Sequence, residues 1–537
     1  MLASPSIAAQ PATLAVINAR AWTGNPAQPW AEAIAIRGDT ILEVGSTAAI
    51  RQLADASTRV IDAHGQLLVP GFIDSHIHFL EAGLNLASVQ LRDAHTKEEF
   101  IARIRAFAAT LPAGAWITGG NWDHQNWGGA LPTRQWIDAV TAGHPVWINR
   151  LDGHMSLANS QALAAAGITK ATAEVSGGTI VRDASGNPTG ILKDNATQLV
   201  NLIVPPPTPQ MLDRALDAAG EFVAARGVTS VGHMGSWSDL DVFERAEKAG
   251  RLRTRVYAAV PLATWQRLAQ KVSAQGRGSD YLSIGGLKAF VDGSLGSHTA
   301  AFLEPFTDAP GDSGLLVNQP EDLYRWTSGA TQSGLQVMVH AIGDRAIRLQ
   351  LDIFERVARE QHPRDPRFRI EHAQHIAVAD VPRFARLGVI ASMQPYHALD
   401  DGRWAEKLIG PERIKTTYAF RSLLDTHARL AFGSDWPVAP PTPLEGIYAA
   451  VTRRTLDDRN PGGWVPEQKI TVEEALRAYT ADAAFAQFAE HRKGSLEKGK
   501  LADFVLIDRD LTRIPPPEIR DARIRLTVIG GKIIYEN

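Results

Sequence analysis

A chain of 537 residues is too long for one small domain and has room for a barrel of about 250 residues or more with additions. Hydrophobic content of 45% and charged content of 21% describe a globular protein with a large core; a formal net charge of −3, with no basic stretch, argues against an electrostatic nucleic-acid binder. Cysteine is absent against 16 histidines, which removes disulfides, thiolate nucleophiles and cysteine-based metal sites and leaves nitrogen and oxygen as metal donors.

The opening MLASPSIAAQPAT lacks the basic start and apolar core of a signal peptide. A ragged terminus and a trimmed leader remnant both stay open, and with them a cytoplasmic or a periplasmic location. Residues 12–66 carry short alternating segments (LAVINARAWTG, AEAIAIRGDTILEVG, TRVIDAHGQLLV) broken by Gly, Asp and Pro, the pattern of strands joined by tight turns. From Gly494 onward, GSLEKGKLADFVLIDRDL and IRLTVIGGKIIYEN repeat that pattern. The two ends, 1–66 and 488–537, are therefore expected to complete one small β-sandwich-like domain.

Between them, residues 67–487 alternate strand-like runs with amphipathic stretches such as LDRALDAAGEFVAARG, EDLYRWTSGATQSG and AIRLQLDIFERVARE. The runs GFIDSHIH, VTSVGHMG, TRVYAAV, SIGGLKAFV, QVMVHAIG, RFRIEHA, VIASMQP and LAFGSD supply the eight strands of a (β/α)8 TIM barrel, an α/β fold. That count leaves residues 83–226 as a large insertion after the first strand, overhanging the barrel mouth and containing the tryptophan-rich GGNWDHQNWGG. VPPPTPQ at 204–210 closes the insertion as a stiff connector, with Thr208 as an N-cap and Pro209 at the first helical position. No apolar run approaches the roughly 18 residues a membrane span needs.

Six residues stand at the downstream ends of these runs: His76, His78, Lys288, His340, His372 and Asp435. Residues two apart on a strand share a face, so His76 and His78 can offer two imidazoles to one ion. Taken alone, H-x-H is weak evidence. His375 competes with His372 in HAQH; His372 is preferred because it ends the strand that fixes its direction. Asp435 also reads as a turn aspartate before Trp436-Pro437, and Lys288 as an ion-paired lysine.

PGFIDSHIH, with VMVHAIGDRA, RIEHAQ and FGSDWP, resembles the amidohydrolase superfamily over nearly the whole chain. GGLKAFVDGSLGSHTAAF and HAIGDRAI are similar to signatures of its third amidohydrolase family, the YtcJ-like group that contains N-substituted formamide deformylase. The resemblance implies a (β/α)8 hydrolase with two divalent ions; a nitrogen-rich site with one carboxylate makes Zn2+ the first choice, with iron, manganese, cobalt and nickel fitting the same geometry. It places His76 and His78 on the more buried ion, His340 and His372 on the more exposed one, and Lys288 as a bridging carbamate. A free ammonium has no lone pair, whereas a lysine that has lost its proton and taken up CO2 is carboxylate-like; the apolar GGLKAFV setting favours the neutral amine.

Asp435, Lys288 and His340 are expected to carry the chemistry: hydrolysis of a non-peptide carbon–nitrogen bond by metal-activated hydroxide, with Asp435 as proton shuttle. The substrate class this favours is an N-substituted formamide or N-acyl amine; cyclic amides, lactones, esters and a non-catalytic ligand-binding barrel are the alternatives. A serine hydrolase is disfavoured, since no G-x-S-x-G elbow surrounds Ser230, Ser294 or Ser434.

Substrate contacts are expected from Trp122, Asp123, His124 and Trp127 of the insertion, with core packing of the two tryptophans the open alternative, from Arg150, Asp152 and His154 in NRLDGH, and from Asp292, Ser294 and His298 in DGSLGSH, which also reads as a plain glycine-rich βα loop. Asp344 reads either as the group that orients a ligand histidine or as an acidic charge at a helix N-terminus or in an intrahelical salt bridge. The partner is a small amide-like molecule, with no nucleic acid and no membrane, and a homodimer is expected although no motif encodes it.

Overall fold

The computed structural model describes residues 11–537; Met1–Gln10, on which the leader question turns, lie outside the described residues. Eight parallel strands pair in chain order: Phe72–Ile77 (β1), Val228–Met234 (β2), Arg255–Pro261 (β3), Leu282–Phe290 (β4), Gln336–Ala341 (β5), Arg369–His372 (β6), Ile390–Met393 (β7) and Leu430–Phe432 (β8). Every strand expected from the sequence is present, in the expected order. Their residues are buried nearly throughout because helices cover one face and packed side chains fill the other, which is why they read as continuous apolar runs. β8 and β1 are the two ends of the sheet; the Asp435 amide donates to His76 O at 2.7 Å and the His78 amide to Trp436 O at 2.9 Å, so chain just past both strands draws the barrel together. The fold is TIM-barrel-like with additional sheets.

Leu67–Pro70, expected at the leading edge of the barrel, runs instead in a six-stranded sheet, antiparallel to Phe504–Ile507. That sheet unites N-terminal and C-terminal strands and faces a four-stranded N-terminal sheet, with Leu14, Val16, Ile34, Leu68, Phe504 and Val528 buried between the two.

After β1 the chain forms the helix Phe79–Asn85, then a six-stranded sheet of its own, and returns through the helix Pro209–Ala224, which packs on Phe79–Asn85. Thr208 caps this returning helix by accepting from the Met211 amide, with Pro209 in the first turn; replacing such a cap by alanine costs about 1 kcal/mol. The inserted sheet has its own core of Val89, Phe100, Ile104, Trp122 and Ile148, so it is a packed layer able to hold side chains over the barrel mouth. Among the described residues no helix is long and apolar enough to cross a membrane.

Candidate metal centre and active site

His76 sits fully buried near the end of β1, its Nδ1 2.6 Å from Glu371 Oε2. Glu371 also accepts from Arg369 Nε at 2.7 Å, and Arg369 Nη2 donates to Ser75 O and Ser392 Oγ. Burial alone would raise the Glu371 carboxyl; Arg369 and His76 reverse this and hold it far below the usual carboxylate range. A carboxylate only accepts, so the ring proton of His76 belongs on Nδ1 and the lone pair on Nε2.

That Nε2 lies 3.3 Å from Asp435 Oδ1, which is also 3.2 Å from His78 Nε2. Asp435 Oδ1 is buried and makes no hydrogen bond. An orphaned carboxylate oxygen facing an imidazole lone pair, away from water, is costly unless a cation lies between them. The donor set therefore fits a divalent metal.

Asp74 prepares this corner: its carboxylate accepts from the Ser434 amide at 2.9 Å and from Ser434 Oγ at 2.5 Å, tying the chain after β8 to β1. Burial pushes the Asp74 carboxyl up to about 7.

Lys288 Nζ lies 3.4 Å from His76 Nε2, and burial pulls its amine down to about 8, toward the neutral form that reacts with CO2. His340 engages Gly293 O through Nε2 at 3.0 Å, leaving Nδ1 as its free donor; His372 engages Gln394 Oε1 through Nδ1 at 2.8 Å, leaving Nε2. The two rings are 4.5 Å apart. Burial, reinforced by His154 and Lys288 for His340 and by His340 for His372, holds both rings well below the usual histidine range, in the neutral form a metal requires. His372 and Asp435 adopt φ of 71° and 61°. Such left-handed backbone costs about 1–3 kcal/mol per residue and here aims two polar tips at one point.

Two groups have donor atoms all within 4.8 Å of one another: His76, His78 and Asp435, and His372, His397 and Asp435. His340 and Lys288 line the same cavity. His375 is turned elsewhere, its Nδ1 2.8 Å from Thr417 Oγ1, and burial drives its ring down to about 3.

The cavity above these residues has a volume of about 230 Å3. Asp123, Arg150, Asp152, His154 and Ser294 lie in its wall, joined by Asp400, Asp401 and Trp404, which follow β7. The Arg150 guanidinium is already engaged with Asp123 at 2.8 Å and Asp152 at 2.6 Å. Ser294 Oγ donates to Asp152, stitching the loop after β4 to the insertion. His154 is held by Asp194, with Nδ1 to Oδ1 2.6 Å, and its ring lies 5.0 Å from that of His340.

Five expected contacts fall outside this wall. Trp122 is fully buried in the core of the insertion and donates to Ile148 O, and Trp127 packs on the same core, because large flat rings gain more from burial there than from a wet rim. His124 lies behind Arg150, receiving its Nε at 3.2 Å. His298 pairs with Asp308 away from the cavity. Asp292 is fully buried and accepts the amides of Ala301, Ile342 and Gly343, so it shapes the loops after β4 and β5 without facing substrate. Asp344 accepts the Leu303 amide and orients no ligand histidine.

Sequence reading missed Glu371, Asp194, His397, Asp400, Asp401 and Trp404. Glu371 alone carried a local signal, since alternation within RIEH puts it on the opposite face from His372, where a second ring could reach it.

Burial would raise the Asp152 carboxyl, but Arg150 and His154 bring it down to about 2. Because this lies below the unfolded value of about 3.9, its stabilisation is fully present above about pH 4 and is lost as pH falls through about 2. Acid unfolding of Asp152→Asn, followed by circular dichroism, should lack that portion of the pH slope, on the order of 2 kcal/mol.

A model described as an amidohydrolase family matches residues 59–535. The protein named LONG AFTER FAR-RED 3 of Arabidopsis thaliana is 42% identical, over 98% of this chain and 92% of its own. The N-substituted formamide deformylase of Arthrobacter pascens is 29% identical, over 97% and 98%. A structure described as an uncharacterized metal-dependent hydrolase from Pyrococcus horikoshii superposes with a TM-score of 0.76 at 30% identity, covering 94% of this chain and 99% of that one.

Proposed function

This chain belongs to the amidohydrolase family, and we propose that it cleaves the non-peptide carbon–nitrogen bond of a small N-formyl or N-acyl amine. The observation that carries this reading is the buried, unpartnered Asp435 Oδ1 facing the imidazoles of His76 and His78 on the floor of the cavity. In this reading His76 and His78 hold one ion, His340 and His372 a second, and Lys288 bridges them as a carbamate. Two divalent ions, Zn2+ by choice, would supply an acidified water and a polarised carbonyl.

The protein's own groups then have separate tasks. Asp435 keeps Oδ1 for the ion, accepts a proton from the attacking water at its other oxygen, Oδ2, and returns it to the departing nitrogen. Glu371 fixes the His76 ring, and Gln394 the His372 ring, so neither turns during the reaction. His154, anchored at Nδ1 by Asp194, presents its other nitrogen to the substrate. Since Arg150 is paired twice, it is not free to hold a substrate carboxylate, which favours a neutral amide. The formamide deformylase relative supports the choice of bond.

A panel of N-formyl amines, N-acyl amines, cyclic amides, lactones and esters, assayed with metal-replete protein, tests the reading. Turnover restricted to lactones or esters would reject it. Lys288→Ala should lower kcat/KM by more than the about 10- to 100-fold that loss of an outer partner costs. Reconstitution under CO2-free conditions should reproduce part of the defect in the parent and none in the variant. Equal activity of parent and variant would remove the bridging role.

A further inference from the structure

The second donor group contains a residue absent from the six-residue set, His397. We propose that His397 is a ligand of the more exposed ion, together with His372 and Asp435. The inference rests on the metal-centre reading above and deepens it.

One donor atom from each of these three residues lies within 4.8 Å of the other two. Each also has an atom free for the task. His372 commits Nδ1 to Gln394 Oε1, which leaves Nε2. Asp435 Oδ1 and His397 Nε2 are both buried atoms without hydrogen-bond partners. Burying an imidazole nitrogen unpaired costs about 1–3 kcal/mol; the Asp435 oxygen already faces the ion of His76 and His78, so the orphan left to explain is His397 Nε2, and a cation shared with His372 and the Asp435 carboxylate explains it.

The backbone supports the same assignment. Gln394 immediately precedes the helix Pro395–Asp401 and orients His372 with its side chain, while His397 stands in the first turn of that helix. The chain just past β7 thus delivers both the group that aims one ligand and a further ligand, although β7 contributes no member of the expected set. The rings of His372 and His397 are nearly parallel, 11° apart with centroids 6.5 Å from each other.

The test is metal binding, read without activity. Metal-free parent, His397→Ala and His397→Gln are titrated with Zn2+ against a chromophoric chelator, after circular dichroism has established that each is folded. The expected result is a weaker ion whose affinity falls by more than 100-fold in both variants, with the tighter ion unchanged. A drop within the about 10- to 100-fold range of an outer hydrogen-bond partner, or none, overturns the ligand role while leaving the metal-centre reading standing. A parent that binds no Zn2+ overturns both.

A crystal structure of the zinc-loaded parent, with anomalous data at the zinc edge, tests the ligand role even if the variants fail to fold. A His397 ring nitrogen about 2.0–2.1 Å from zinc is expected, and one beyond about 3 Å overturns the proposal.

Discussion

Asp435→Asn is expected to lower kcat/KM on a proven substrate by about 10²- to 10⁴-fold, the range that a positioned acid–base group contributes. The substitution keeps the side chain's shape and one acceptor oxygen, so bound zinc should stay near the parent's content; metal analysis run in parallel checks this. What is lost is proton affinity. Burial opposes the charged form of Asp435, but His76, His78 and His372 outweigh it and hold the carboxyl well below its usual range. A carboxylate is thus in place to take the proton that, in the proposed reaction, a water surrenders. Near-parent turnover with full metal would reject the shuttle role; loss of metal would mean that the fall in turnover reports a lost ligand rather than a lost base.

Glu371→Ala is the second large effect, and it is expected in stability. Glu371 and Arg369 are both completely buried, and Arg369 Nη1 already lacks a partner. Removing the carboxylate leaves a guanidinium with no counter-charge out of water, which costs about 3–5 kcal/mol. Urea unfolding should show it as a lower midpoint. Glu371→Gln keeps an oxygen for the His76 Nδ1 proton but not the charge; zinc affinity should fall by about 10- to 100-fold, as for other outer partners of ligand histidines. A parent-like midpoint in Glu371→Ala would mean that Arg369 finds other acceptors than Ser75 O and Ser392 Oγ.

The eight barrel strands were legible because their burial on both faces demands uninterrupted apolar runs, and the polar residue ending each run stands out. His76, His78, Lys288, His340, His372 and Asp435 were visible for that reason. The tryptophan-rich NWDHQNW was conspicuous for a different one. Its rings belong to the private core of an inserted sheet, and composition cannot distinguish a ring that packs inward from one that faces a ligand. Of that segment only Asp123 reaches the cavity wall, through its pairing with Arg150.

The sequence by itself determined the order of the barrel strands and the polar residues that end them, because periodicity and residue type are local properties of the chain. Tertiary structure alone decided which side chains close the site. Glu371 behind His76 is 295 positions away in sequence, Asp194 behind His154 is 40 away, and His397 meets Asp435 only because β7 and β8 pair and set the segments after them side by side. Such partners carry no spacing rule, since two groups on separate strands become neighbours only when the sheet closes and water is excluded between them.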